Sequence, residues 1–113
     1  MASAFDTLDR KITVLHRHCA AVGRDPGDVA VTVLDVPVVG SDRDDTWSRV
    51  ERLRGRTAAA TFAARHHAGT LGEQVARYRA LADRGVRAVF VALPDLAGPD
   101  DVRRIAPLAA AGW

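Results

Sequence analysis

The chain has 113 residues and a mass of 12.1 kDa, enough for one domain that buries roughly two-thirds of its unfolded surface. Its 48% hydrophobic and 27% charged residues exclude the disordered class, and its apolar runs, such as Val29–Val31 and Val36–Val39, fall far short of the roughly 18 residues of a membrane span. A net charge of only +2 with interspersed signs argues against nucleic acid despite a pI near 9.3; the single Cys19 and an acidic start at Asp6 fit a cytoplasmic protein without an export signal.

Phe5, Leu8, Ile12, Leu15, Cys19 and Val22 recur in steps of three and four, which predicts a helix over about residues 6–22 with Cys19 on its core stripe. Asp6 or Thr7 caps its start, and Gly23 followed by Pro26 ends it. Val29 to Val36 is apolar on both alternate faces and rich in β-branched side chains, the pattern of a strand covered on both sides. Pro37 cannot donate to a ladder and stops that strand. Ser41 and Asp42 cap the next helix, with Trp47, Val50 and Leu53 on its inner face and Gly55 as an interruption. A second helical piece, rich in alanine, runs from Thr57 through Arg65 and ends before His66.

Thr70-Leu71-Gly72-Glu73 is a capping box, the sharpest local signal in the chain. The helix it opens lays Leu71, Val75, Tyr78 and Leu81 or Ala82 on one face and stops at Gly85. Val86 to Leu93 then reads as a second buried strand, closed by Pro94-Asp95. Pro99 at the first helical position, followed by Asp100 and Asp101, opens a last helix with Val102, Ile105 and Leu108 inward and Pro107 as a kink.

The succession is α/β, and two apolar strands joined through helices predict a parallel pair with a right-handed crossover of about 45 residues. Two parallel strands do not make a self-sufficient sheet, because open edges leave backbone groups unpaired. The fold is therefore expected to be part of a larger architecture or to pair with another copy.

An ordered set of segments gives this expectation a name. Leu8-Asp9-Arg10-Lys11, His18-Cys19, Val22 to Pro26, Val31-Thr32-Val33, His67-Ala68-Gly69-Thr70, Leu81 to Val86 and Phe90 to Pro94 together resemble the C-terminal part of luciferase-like monooxygenases, especially actinobacterial F420-dependent oxidoreductases. The resemblance covers nearly the whole chain. It implies a partial TIM barrel made of about the last two βα units, with hydride or oxygen chemistry at F420 or FMN and a small-molecule substrate. It also implies that the isolated chain lacks turnover until the N-terminal half of the barrel, or a homo-oligomeric partner, completes it.

The chemical candidates follow. His66, His67, Gly69 and Thr70 stand where a loop enters a helix N-terminus and are the candidate cofactor-binding residues; the other reading of the histidines is helix termination, one ring inward and one in water. Asp35 and Asp95 follow the two strands and are the substrate-side candidates. A carboxylate among Leu34, Val36 and Pro37 needs a donor, sought among Arg49, Arg52, Arg54 and Arg56. Adjacent histidines without further ligands at zinc spacing argue against a metal. No catalytic residue is assigned. The alternative function is a non-catalytic α/β module that homodimerises or docks through its sheet edges.

Overall fold

The computed structural model describes residues 6–110. Helix α1 (Asp6–Ala21) carries the predicted stripe from Leu8 to Cys19 and buries Cys19; Phe5 lies outside the described residues, and Val22, predicted on the stripe, falls past the helix end and is 76% exposed. A 3₁₀ turn (Pro26–Asp28), capped by the Asp25 carboxylate on the Gly27 amide at 2.9 Å, leads into β1 (Val31–Asp35). The chain continues through buried Pro37 and Val38 into the short β2 (Val39–Gly40). Helices α2 (Arg43–Leu53) and α3 (Ala59–Arg65) follow, separated at Gly55, whose φ of 57° suits a residue without a Cβ. Then come β3 (Gly69–Thr70), α4 (Leu71–Asp83), β4 (Val86–Val91) and α5 (Pro99–Ile105), ending in a 3₁₀ stretch (Ala106–Ala110). Pro107 has no amide to give an α-helix, which fits the tightening there.

The protein is mixed α/β with short parallel strands and no closed barrel. β1 pairs with β4 in parallel, Val33 opposite Val89 and Asp35 opposite Val91, and β2 pairs with β3 in parallel. Tyr78, Leu81, Val86 and Leu108 form one core, joined by Val31, Val33, Val89 and Val91 from the strands. Val38, Val50 and Phe62 form a second core beneath β2 and β3. The chain is drawn out, with a radius of gyration of 16.1 Å against roughly 13 Å for a compact chain of 100 residues.

Two expectations are corrected. The strands are not covered on both sides: α4 closes the face of Val33 and Val89, but the other face leaves Leu34 73% and Phe90 61% exposed, directly opposite one another in the ladder. The reason is where the crossover helices go, since α2 and α3 pack on the second core instead of on that face. On the helices, Trp47 and Val102, both predicted inward, are exposed, while Val50 and Leu108 carry the packing.

Candidate functional site

Asp35 ends β1 on the face turned to α4, because it shares the two-residue period of Val31 and Val33. It is 5% exposed and needs donors. Tyr78 Oη donates to Asp35 Oδ2 at 2.6 Å, and Arg77 Nη2 donates to the same oxygen. The partner is thus Arg77 of α4, and not Arg49, Arg52, Arg54 or Arg56. Sequence spacing pointed to those four as the nearest cluster of cations, but α2 is turned to the second core and α4 lies against β1. Burial, and after it the bond to Asp35, raises the Tyr78 phenol well above its ordinary value of 10, so it stays protonated and donates.

Gln74, 1% exposed, completes the arrangement. Its Oε1 accepts from Arg77 Nε at 3.0 Å and Nη2 at 2.8 Å, while its Nε2 donates to the carbonyl of His67. That carbonyl is aimed by an unusual backbone, since His67 has a φ of 45°, in the left-handed region that side chains other than glycine seldom occupy. The His67 ring is exposed and lines a cavity of about 220 Å³ with Ala68, Gly69, Glu73, Gln74 and Arg77. Partial burial keeps its pKa below 6.5, Arg77 acting in the same sense and Asp35 against it. The shift favours the neutral imidazole.

The other three candidates of the loop are placed differently. His66 turns inward: Nδ1 donates to the Val36 carbonyl at 2.8 Å and the ring lies 4.4 Å from that of Phe62. Thr70 is the N-cap of α4, its hydroxyl accepting from the Glu73 amide at 3.3 Å while Glu73 Oε1 accepts from the Thr70 amide at 3.3 Å. The capping box therefore places a carboxylate where the sequence left room for an exogenous anion. Gly69 floors the cavity, and a Cβ there would lie 3.3 Å from Glu73 Cβ.

Asp95 belongs to a separate network. It accepts from Arg49 Nη1 at 2.8 Å and from Arg104 Nη2 at 3.4 Å; Arg49 Nε also reaches Asp45 at 3.0 Å, and Arg104 Nη1 donates to the Val39 carbonyl at 2.6 Å. The carboxylate ties α2, β2 and α5 together beyond the ends of the strands. No contact joins Asp35 to Asp95 among the described residues.

Comparison with protein-family models, with curated proteins and with solved structures returns no match. Among the described residues no cluster of His, Cys, Asp or Glu is placed to hold a metal ion, and no helix is long and apolar enough to cross a membrane.

The residues that sequence reasoning missed are Gln74 and Arg77. A signal was present: Gln74, Arg77 and Tyr78 are spaced i, i+3 and i+4, which puts them on one side of α4 beside the apolar Leu81. A tyrosine on an apolar stripe calls for a buried acceptor, and Asp35 at the end of a buried strand was the available one.

Proposed function

We propose that this chain is an assembly unit, which pairs with a second copy of itself through the uncovered face of the β1–β4 ladder. The observation that carries this reading is the exposure of Leu34 and Phe90 on one face of a sheet whose other face is closed by α4. Exposed large apolar groups gathered on a sheet mark an interaction surface more than scattered ones do. A second copy suits it, because Thr32, Leu34, Ala88 and Phe90 carry no charge and a two-fold pairing sets no like charges against each other. Sedimentation velocity over a range of concentrations tests this: the wild type is expected to associate and Leu34→Glu/Phe90→Glu to remain monomeric. A wild type that stays monomeric at every concentration would remove the proposal.

The second reading is the luciferase-like oxidoreductase, as a piece of a partial TIM barrel. The observation favouring it is a parallel β1–β4 pair with helices on one face only, the relation found in a barrel wall, whose bare side looks inward. The residues here do not make a cradle for F420 or FMN by themselves. The cavity beside His67 and Gly69 is smaller than the roughly 300–1,000 Å³ of cofactor pockets, while His66 and Thr70 are engaged within the chain. The chain is expected to bind neither FMN nor F420 in a titration followed by absorbance. Saturable binding of either by the isolated chain would turn the account toward the enzyme.

A further inference from the structure

We propose that Trp113 seats its indole in the groove between the open edge of β4 and the last helical segment, and so closes that edge from within the chain. The groove has a volume of about 520 Å³ and mainly apolar walls, Val89 and Val91 on the strand side and Val102, Ile105, Leu108 and Ala109 on the side of α5 and the 3₁₀ stretch.

Both walls are left incomplete by the described residues. Val102, Ile105 and Leu108 are the apolar stripe that the sequence writes for burial. Leu108 reaches the core, but Val102 stays 56% exposed, with β4 a groove's width away. The strand side is open as well, since β4 pairs with β1 alone. The Ala92 amide donates to the Asp35 carbonyl at 2.9 Å, so the parallel ladder uses Phe90 and Ala92, and the alternation along a strand turns the amides and carbonyls of Val89 and Val91 away from β1. No hydrogen bond joins those groups to another element among the described residues. The apolar walls need a cover and the edge carbonyls need a donor. An indole supplies both, a large apolar body and one N–H.

The length of chain past the described residues selects the occupant. Trp113 follows Ala110, the last described residue, by three positions, which span at most about 11 Å when extended. Ala109 lines the groove, so the chain leaves from its rim. Between them stand only Ala111 and Gly112, which have no comparable surface to bury, and Gly112 permits a sharp reversal. An indole covers about 150–250 Å² when buried, and the groove has room for it. Seated there, Trp113 occupies the place beside β4 where a foreign strand would pair, the protection that open edges commonly require. The groove lies along the edge of the ladder and the assembly surface of Leu34 and Phe90 on its face, so the two proposals stand separately.

The sequence has two tryptophans, so Trp47→Phe leaves Trp113 as the sole indole; Trp47 is 42% exposed while Val50 carries the packing of α2, and the change spares the fold. In that protein the Trp113 fluorescence is expected to be blue-shifted, and several-fold less quenched by acrylamide, relative to the same protein unfolded in urea. Its indole protons should show NOEs to the methyls of Val89, Val102 or Ile105. Val102→Glu, at an exposed position, sets a charge in the groove and should return emission and quenching to the unfolded values while the circular dichroism stays native. The NOEs test the same contact without altering the groove. Because the contact lies within one chain, the shielding should persist on dilution and in a Leu34→Glu/Phe90→Glu background. Solvent-like emission from the folded protein, NOEs to a different surface, or shielding unmoved by Val102→Glu would each overturn the proposal. So would shielding that appears only in concentrated protein, which would assign the cover to a second copy.

Discussion

Removal of the Asp35 carboxylate is the perturbation whose cost the structure defines best. Asp35→Ala strips a 2.6 Å acceptor from Tyr78 Oη, which is 1% exposed, and the counter-charge from Arg77, whose side chain is 17% exposed. Breaking a buried pair from one side costs about 3–5 kcal/mol. Arg77 keeps Gln74 and an opening to solvent, which puts the expected loss at the low end, about 3 kcal/mol. Tyr78→Phe removes only the donor and leaves the ion pair, so it should cost about 1.5–3 kcal/mol, the range for a hydrogen bond to a charged group. Because both changes delete the same contact, the double variant should lose about 1–2 kcal/mol less than the sum. Urea unfolding followed by circular dichroism reads all four corners of the cycle; with a slope of about 1.5 kcal/mol/M, Asp35→Ala should lower the midpoint by about 2 M. A cost below about 1 kcal/mol for Asp35→Ala, or strict additivity, would refute a buried carboxylate that holds α4 against β1.

Three other outcomes follow from named contacts. Thr70→Ala should cost about 1 kcal/mol in the same urea assay, by loss of the capping box; no change would mean that α4 starts elsewhere. Gly40→Ala should cost more than about 3 kcal/mol, or prevent folding, because a Cβ there would lie 2.5 Å from Thr46 N and 2.7 Å from Thr46 Cα, besides meeting Thr46 Oγ1, and backbone cannot turn aside. A well-folded Gly40→Ala protein would contradict the close approach of β2 to α2. The Ser41 amide, with Arg49 adding to it, holds the Asp45 carboxyl below its ordinary value of 3.8. The stability this gives is complete above pH 3.8 and is lost as pH falls through the lower native value, so acid melting curves should show a steeper loss in wild type than in Asp45→Asn.

Much of the framework was legible because it rests on local chemistry. The capping box at Thr70 and Glu73, the stop of β1 before Pro37, the breaks at Gly55 and Gly85 and the proline at the start of α5 each follow from what one or two residues can do with their backbone. The parallel pairing of β1 with β4 was legible too, since two apolar strands separated by helices have few other ways to meet. What could not be read was the side from which each long-range partner arrives. The pattern of Leu34 and Phe90 states that a face is apolar and cannot state whether this chain covers it. The need of Asp35 for a donor was plain, but the choice between arginines on α2 and Arg77 on α4 depends on which helix crosses β1. Trp47 shows the same limit from the other direction, with helical spacing that suited the core and a position that left it exposed while Val50 packs inward.

The most direct measurement is the accessibility of individual side chains to a soluble paramagnetic agent, recorded by NMR in dilute and in concentrated protein. The account predicts that the Val33 and Val89 methyls are shielded at both concentrations, while Leu34 and Phe90 are broadened when dilute and become shielded as the protein associates. Leu34 and Phe90 shielded at every dilution, or still open when the protein is concentrated, would contradict it.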